Sequence, residues 1–113
     1  MVLPLGGWMT PHNPLAKVRA LAADEEACSF FSPVLEELRT RKLDTDDLRA
    51  IIQTELGEAH FSKSEPTRRH HPTTVSDYYS IWVDDCADWM FLKLLVTGAD
   101  VLVVTSFKKD IDR

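Results

Sequence analysis

The stretch that decides the fold runs from residue 78 to 107: Tyr78-Tyr79-Ser80-Ile81-Trp82-Val83, Asp84-Asp85-Cys86-Ala87-Asp88, Trp89-Met90-Phe91-Leu92-Lys93-Leu94-Leu95-Val96, Thr97-Gly98-Ala99-Asp100, Val101-Leu102-Val103-Val104-Thr105-Ser106-Phe107. Three runs rich in β-branched and aromatic residues alternate with two clusters of turn residues, the pattern of an antiparallel meander. Val101–Phe107 is apolar on both faces, which places it inside a sheet. In the middle run, Met90, Leu92, Leu94 and Val96 share one face, while Trp89, Phe91, Lys93 and Leu95 share the other. A lysine does not belong against a helix-packed core. The first set is therefore the core face, and Phe91 and Lys93 belong to an open face where a ligand would lie.

Upstream of this stretch the period changes. Phe61–Ser64 begins a strand or an ordered loop. The polar segment from Glu65 to Ser76 contains Pro66 and Pro72 and reads as a long loop, a length often associated with function or mobility. Before it the chain reads as helical. Asn13-Pro14 and Ser32-Pro33 are start signals, a capping side chain followed by a proline at the first helical position. Leu15, Val18, Leu21 and Ala22 form one stripe, and Val34, Leu35 and Leu38 form the next. Asp44-Thr45 opens a third helix with Leu48, Ile51, Ile52 and Leu56 on its apolar face. Asp46 and Asp47 suit its first turn, and Gly57 suits its stop. The expected fold is α+β, with N-terminal helices packed on one face of a small antiparallel β-sheet.

The chain has 113 residues, 44% apolar and 27% charged, which is the composition of one globular domain spanning 1–113. Residues 1–10 read as a flexible or packing tail. Met1–Met9 is apolar but short, lacks a basic start and is broken by Pro and Gly, unlike a signal peptide. No apolar run approaches the roughly 20 residues that cross a bilayer, so no membrane partner and a cytoplasmic location are expected. Cys28 and Cys86 read as reduced, partly buried thiols. The net charge of −5 excludes a surface that grips nucleic acid all over, so any such contact is local.

One local concentration of cations stands out. Lys63, Arg68, Arg69, His70 and His71 fall close together, and Lys93, Lys108 and Lys109 can reach the same face. Lysines and arginines stabilise the added negative charge of a phosphoryl transition state, and histidine moves protons near neutral pH. A metal-free ribonuclease needs only these parts, because RNA supplies its own 2′-hydroxyl nucleophile. The competing reading is that Arg68-Arg69 and Lys108-Lys109 are solvated surface charges. Tyr78, Tyr79, Trp82, Trp89 and Phe91 can stack bases or serve as core and rim packing. Asp84, Asp85, Cys86 and Asp88 crowd one turn but lack zinc-ligand spacing, and no metal or cofactor is expected. Three flanking aspartates make Cys86 a poor nucleophile.

The order Phe61-Ser62-Lys63-Ser64, Ile81-Trp82-Val83-Asp84, Phe91-Leu92-Lys93 and Ser106-Phe107-Lys108 resembles the MqsR family. These are toxins of bacterial type II toxin–antitoxin systems with a RelE-like fold. Pro11-His12 before an amphipathic helix fits the same plan, and the resemblance covers residues 11–109. It implies metal-independent cleavage of mRNA, inhibition of translation, and neutralisation by a cognate antitoxin, a helix-turn-helix DNA-binding protein. Lys63 and Lys108 match two lysines associated with the family's active site. Two positions depart: Val83 replaces a glutamine and Phe91 a tyrosine, removing polar groups that could touch phosphate. The loop after Lys63 is longer than usual. Under this reading His70 or His71 shuttles the proton, while Arg68, Arg69, Lys93, Lys109 and Tyr79 position RNA. The alternatives are a catalytically degenerate binding module of the same fold, or a small-ligand or metal-binding regulator.

Overall fold

A computed structural model describes residues 10–113, so nearly all of the expected tail, 1–10, lies outside the described residues. Helix α1 spans Leu15–Ala22 and buries Leu15, Val18 and Ala22. Pro14 precedes it with the preset φ that suits a helix entrance. Asn13 does not cap this helix as its sequence position suggests. Its backbone N–H and side-chain amide instead donate to the Asp77 carboxylate at 2.8 and 2.9 Å.

After α1 comes β1, Cys28–Phe30, and then α2, Ser32–Thr40, with Pro33 in its first turn and Val34 and Leu38 buried. Helix α3, Thr45–Thr54, carries the expected start. The Asp44 side chain accepts from the Asp47 N–H and the Asp47 side chain accepts from the Asp44 N–H, both at 2.9 Å. Its stop differs from expectation. The helix ends at Thr54 with Glu55 as its C-cap, and Gly57 has an extended φ of −136° and opens a short 3₁₀ turn, Glu58–His60.

The strands β2 (Phe61–Pro66), β3 (Val75–Val83), β4 (Asp88–Val96) and β5 (Leu102–Lys109) follow. Together with β1 they form a five-stranded sheet in the order β1-β5-β4-β3-β2. The meander is antiparallel, as expected, but β1 runs parallel to β5 and makes the sheet mixed. With a neighbour on each side, β5 is an interior strand, which its two-sided apolar pattern requires.

The helices lie on one sheet face. Leu15, Val18, Leu38, Leu48, Ile51 and Ile52 pack in a single core with Tyr79, Ile81, Val83, Met90, Leu92, Leu94, Leu102, Val104 and Phe107. Met90, Leu92 and Leu94 thus face the helices, and Phe91 and Lys93 face away. The face they share is less open than expected. Leu95 and Val103 alternate onto it and are buried, and a bulge in β5 shifts the register at Lys93/Leu94. The long loop between β2 and β3 roofs this end of the face together with Phe31. Among the described residues, no helix is long and apolar enough to cross a membrane.

Candidate nucleic-acid interface

Strand register brings distant residues into rows. Lys63 on β2 lies opposite Tyr78 on β3, Tyr78 opposite Lys93 on β4, and Lys93 opposite Ser106 on β5. The next row on the same face is Ser80, Phe91 and Lys108. Residues two apart on a strand are separated by roughly 7 Å, so the two rows touch. The Tyr78 and Phe91 rings meet edge to face with centroids 5.6 Å apart. Lys63 Nζ and Lys93 Nζ sit 5.0 and 5.2 Å from the Tyr78 centroid, and Lys108 Nζ sits 5.7 Å from that of Phe91. The three ammonium groups are held around one aromatic pair, whose ring faces attract cations. Lys63 and Lys108, far apart in sequence, meet around this one aromatic pair.

Glu65 joins this site although nothing in its sequence pattern marks it, and Tyr78 takes a polar role there beyond base stacking. Glu65, two along from Lys63, takes the Lys63 ammonium at 3.0 Å and accepts a hydrogen bond from the Tyr78 hydroxyl at 3.1 Å. The Lys63 bond, then that of Tyr78, holds the Glu65 carboxyl below its usual range. Burial, then the bond to Glu65, pushes the Tyr78 hydroxyl up. At neutral pH this is a charged carboxylate beside a neutral phenol.

Tyr79 is corrected as an RNA contact. It is fully buried and faces the helices, so no base can stack on it. Its neighbour Tyr78 points to the cationic face. The alternation was legible in Ile81 and Val83, apolar residues whose inward direction carries Tyr79 inward with them. Val83 is likewise in the core, 1% exposed, so the departure there removes nothing from the cationic face. The hydroxyl missing at Phe91 has a counterpart on the adjacent strand, that of Tyr78.

The loop divides the remaining candidates. Thr67 N–H donates to the Thr74 carbonyl at 3.0 Å and closes it. The Thr67 and Ser76 hydroxyls lie 2.7 Å apart, and that of Thr74 donates to Thr67 at 2.9 Å. His70 has a left-handed φ of 68°, a conformation histidine tolerates better than most side chains. Its ring meets Phe31 edge-on at 5.5 Å, and the His71 ring lies tilted 6.4 Å from the same phenylalanine. The loop thus carries both histidines toward Phe31, at the far side of the face from Lys108. Arg68, Arg69 and His70 border a cavity of about 340 Å³ whose floor includes Tyr78 and Lys93. Lys108 does not line it.

Lys109 departs from the cluster. It lies opposite Met90, a core-facing residue, and pairs with Asp88 at 3.6 Å, so alternation carries it off the cationic face. Cys28 and Cys86 are half-buried free thiols, each pushed up first by burial. Among the described residues no three His, Cys, Asp or Glu side chains gather as metal ligands, the aspartate-rich turn Asp84–Asp88 included. No protein-family model matches this chain and no curated protein matches it, so the likeness to the MqsR family rests on its motifs and their order.

Proposed function

We propose that this protein is the toxin of a toxin–antitoxin pair, a metal-independent endoribonuclease that cuts mRNA and thereby stops translation and growth. The observation that supports this most is the convergence of Lys63, Lys93 and Lys108 on the Tyr78–Phe91 pair. The lysines bind the scissile phosphate and stabilise the extra charge as its phosphorus becomes five-coordinate. The ribose 2′-oxygen attacks phosphorus and its proton passes to the Glu65 carboxylate. The bond from phosphorus to the 5′-oxygen breaks, and that oxygen takes a proton from Tyr78. Tyr78 suits this step, because its raised pKa keeps the proton in place until a far more basic alkoxide forms. The products are a 2′,3′-cyclic phosphate and a 5′-hydroxyl.

Induced expression, alone and with a neighbouring helix-turn-helix gene, followed by mapping of RNA ends tests the proposal. Growth arrest, 5′-hydroxyl ends insensitive to chelator, and rescue by the neighbour are expected. Normal growth with intact mRNA would overturn it.

The two tyrosines give opposite signatures. Tyr78→Phe keeps the ring and loses the proton donor, so cleavage falls about 100-fold with stability unchanged. Tyr79→Phe removes a buried hydroxyl that lacks a hydrogen-bond partner among the described residues. It raises stability by about 1 kcal/mol, read from the urea midpoint, and leaves cleavage intact.

A second reading, a non-catalytic binding module, has one observation in its favour: Glu65 already engages both Lys63 and Tyr78. Glu65→Gln separates the two. Because the Glu65 pKa is depressed, its ion pair exists above that lowered range and is lost as pH falls through it. At neutral pH the amide therefore frees Lys63, and RNA binds severalfold tighter by filter binding. A ribonuclease loses its proton acceptor at the same time, and cleavage drops at least about tenfold. A binding module shows the tighter binding with no cleavage in either form.

A further inference from the structure

The cavity beneath the loop adjoins the lysine rows and shares Tyr78 and Lys93 with the chemistry described above, while its wall and rim take no part in it. Its wall is formed by Phe31, its rim by Arg68, Arg69 and His70, and its floor by Tyr78 and Lys93. Polar edges come from Thr67, Ser76 and Thr105, of which the first two belong to the linked hydroxyl cluster. At about 340 Å³ it lies near the lower end of small-molecule sites, which run from roughly 300 Å³ upward. That is room for a single planar heterocycle with its sugar.

The combination of parts is specific. Cations at the mouth attract a phosphate, an aromatic wall accepts a base, and hydroxyls that both donate and accept can meet a base edge. His70 is held in a left-handed conformation that sets its ring against Phe31, narrowing the slot. Lys93 belongs both to this cavity and to the row Lys63–Tyr78–Lys93, so the mouth of the cavity adjoins the lysines.

We infer that the cavity takes one nucleotide of the RNA, the one flanking the cleaved bond, with its base against Phe31 and His70 and its phosphate on Arg68, Arg69 and Lys93. This rests on the ribonuclease reading for its RNA substrate, and it makes the loop the element that selects sequence. The histidines then act as a recognition wall and not as proton carriers.

Titrating the full-length protein with each of the four ribonucleoside 5′-monophosphates and with inorganic phosphate, followed by amide NMR shifts, tests it. At least one mononucleotide is expected to bind tenfold or more tighter than phosphate and to shift the amides of residues 67–70 and Thr105. Arg69→Ala, at an exposed position that leaves the core untouched, and Phe31→Leu, which keeps apolar bulk, should each weaken that binding about tenfold. Equal affinity and equal shifts for phosphate alone, or shifts confined to the Lys108 end, overturn the inference. RNA cleavage without base preference and without mononucleotide binding overturns it while leaving the ribonuclease reading intact. Mononucleotide binding at the loop in a protein that cuts no RNA retains the pocket and overturns the ribonuclease.

Discussion

Lys108→Ala and Lys63→Ala, expressed one at a time, are expected to relieve growth arrest and to slow RNA cleavage about 100- to 1,000-fold. Both side chains are exposed and neither belongs to the core, so their removal takes away charge at the phosphate without removing packing. The loss is large because a positioned cation acts on charge that develops only in the transition state, where it needs no reorganisation. Lys63→Ala has a second consequence: Glu65 loses its main partner and its pKa moves back up, which partly offsets the loss by giving a stronger base. Lys108→Ala has no such compensation and is expected to be the more damaging. Lys109→Ala, one residue on but off the cationic face, is expected to lose far less. Single-turnover cleavage rates on a short RNA measure all three. Equal toxicity of Lys63→Ala, Lys108→Ala and the parent would remove both lysines from the mechanism.

The second large effect concerns folding. Asp77 is fully buried, yet its carboxylate accepts from His12 N–H at 3.0 Å, Asn13 N–H at 2.8 Å, the Asn13 amide at 2.9 Å and the Ser64 hydroxyl. It ties the segment before α1 to β2 and β3 beside Lys63. Asp77→Ala strands the two buried Asn13 donors and removes the acceptor of the part-buried His12 N–H and Ser64 hydroxyl, and each buried donor costs free energy when its acceptor is lost. The expected cost is about 3 kcal/mol or more. For a domain of this size that lowers Tm by on the order of 15 °C, measured by circular dichroism. Asp77→Asn fills the same volume but turns donors toward donors, so it destabilises too. Because Ser64 adjoins Lys63, cleavage is expected to fall in both variants even well below their melting points. A melting temperature within a few degrees of the parent would show that the clamp holds nothing of consequence.

Much of the architecture was legible because it follows local rules. The Asp44–Asp47 caps, the prolines at the starts of α1 and α2, and the alternation that turned Lys93 away from Leu92 and Leu94 all depend on residues a few positions apart. Where local signals are ambiguous, tertiary contacts decide. Asn13 looks like a cap, but a buried carboxylate from β3 offered it better partners. Tyr78 and Tyr79 are chemically alike, so only the inward direction of Ile81 and Val83 distinguishes them. The three residues of β1, Cys28–Phe30, carry no period to read, and their pairing depends on β5, far along the chain.

The sequence by itself determined the α+β class, the core face of β4 and the set of cations available, since periodicity and caps are properties of neighbouring residues. Tertiary structure decided which of those cations meet. Long-range register, with its bulges in β2 and β5, set Lys63, Lys93 and Lys108 around Tyr78 and Phe91, brought in Glu65, carried Lys109 away and sent the histidines to Phe31. No local pattern encodes that assembly, because it depends on how separate strands align.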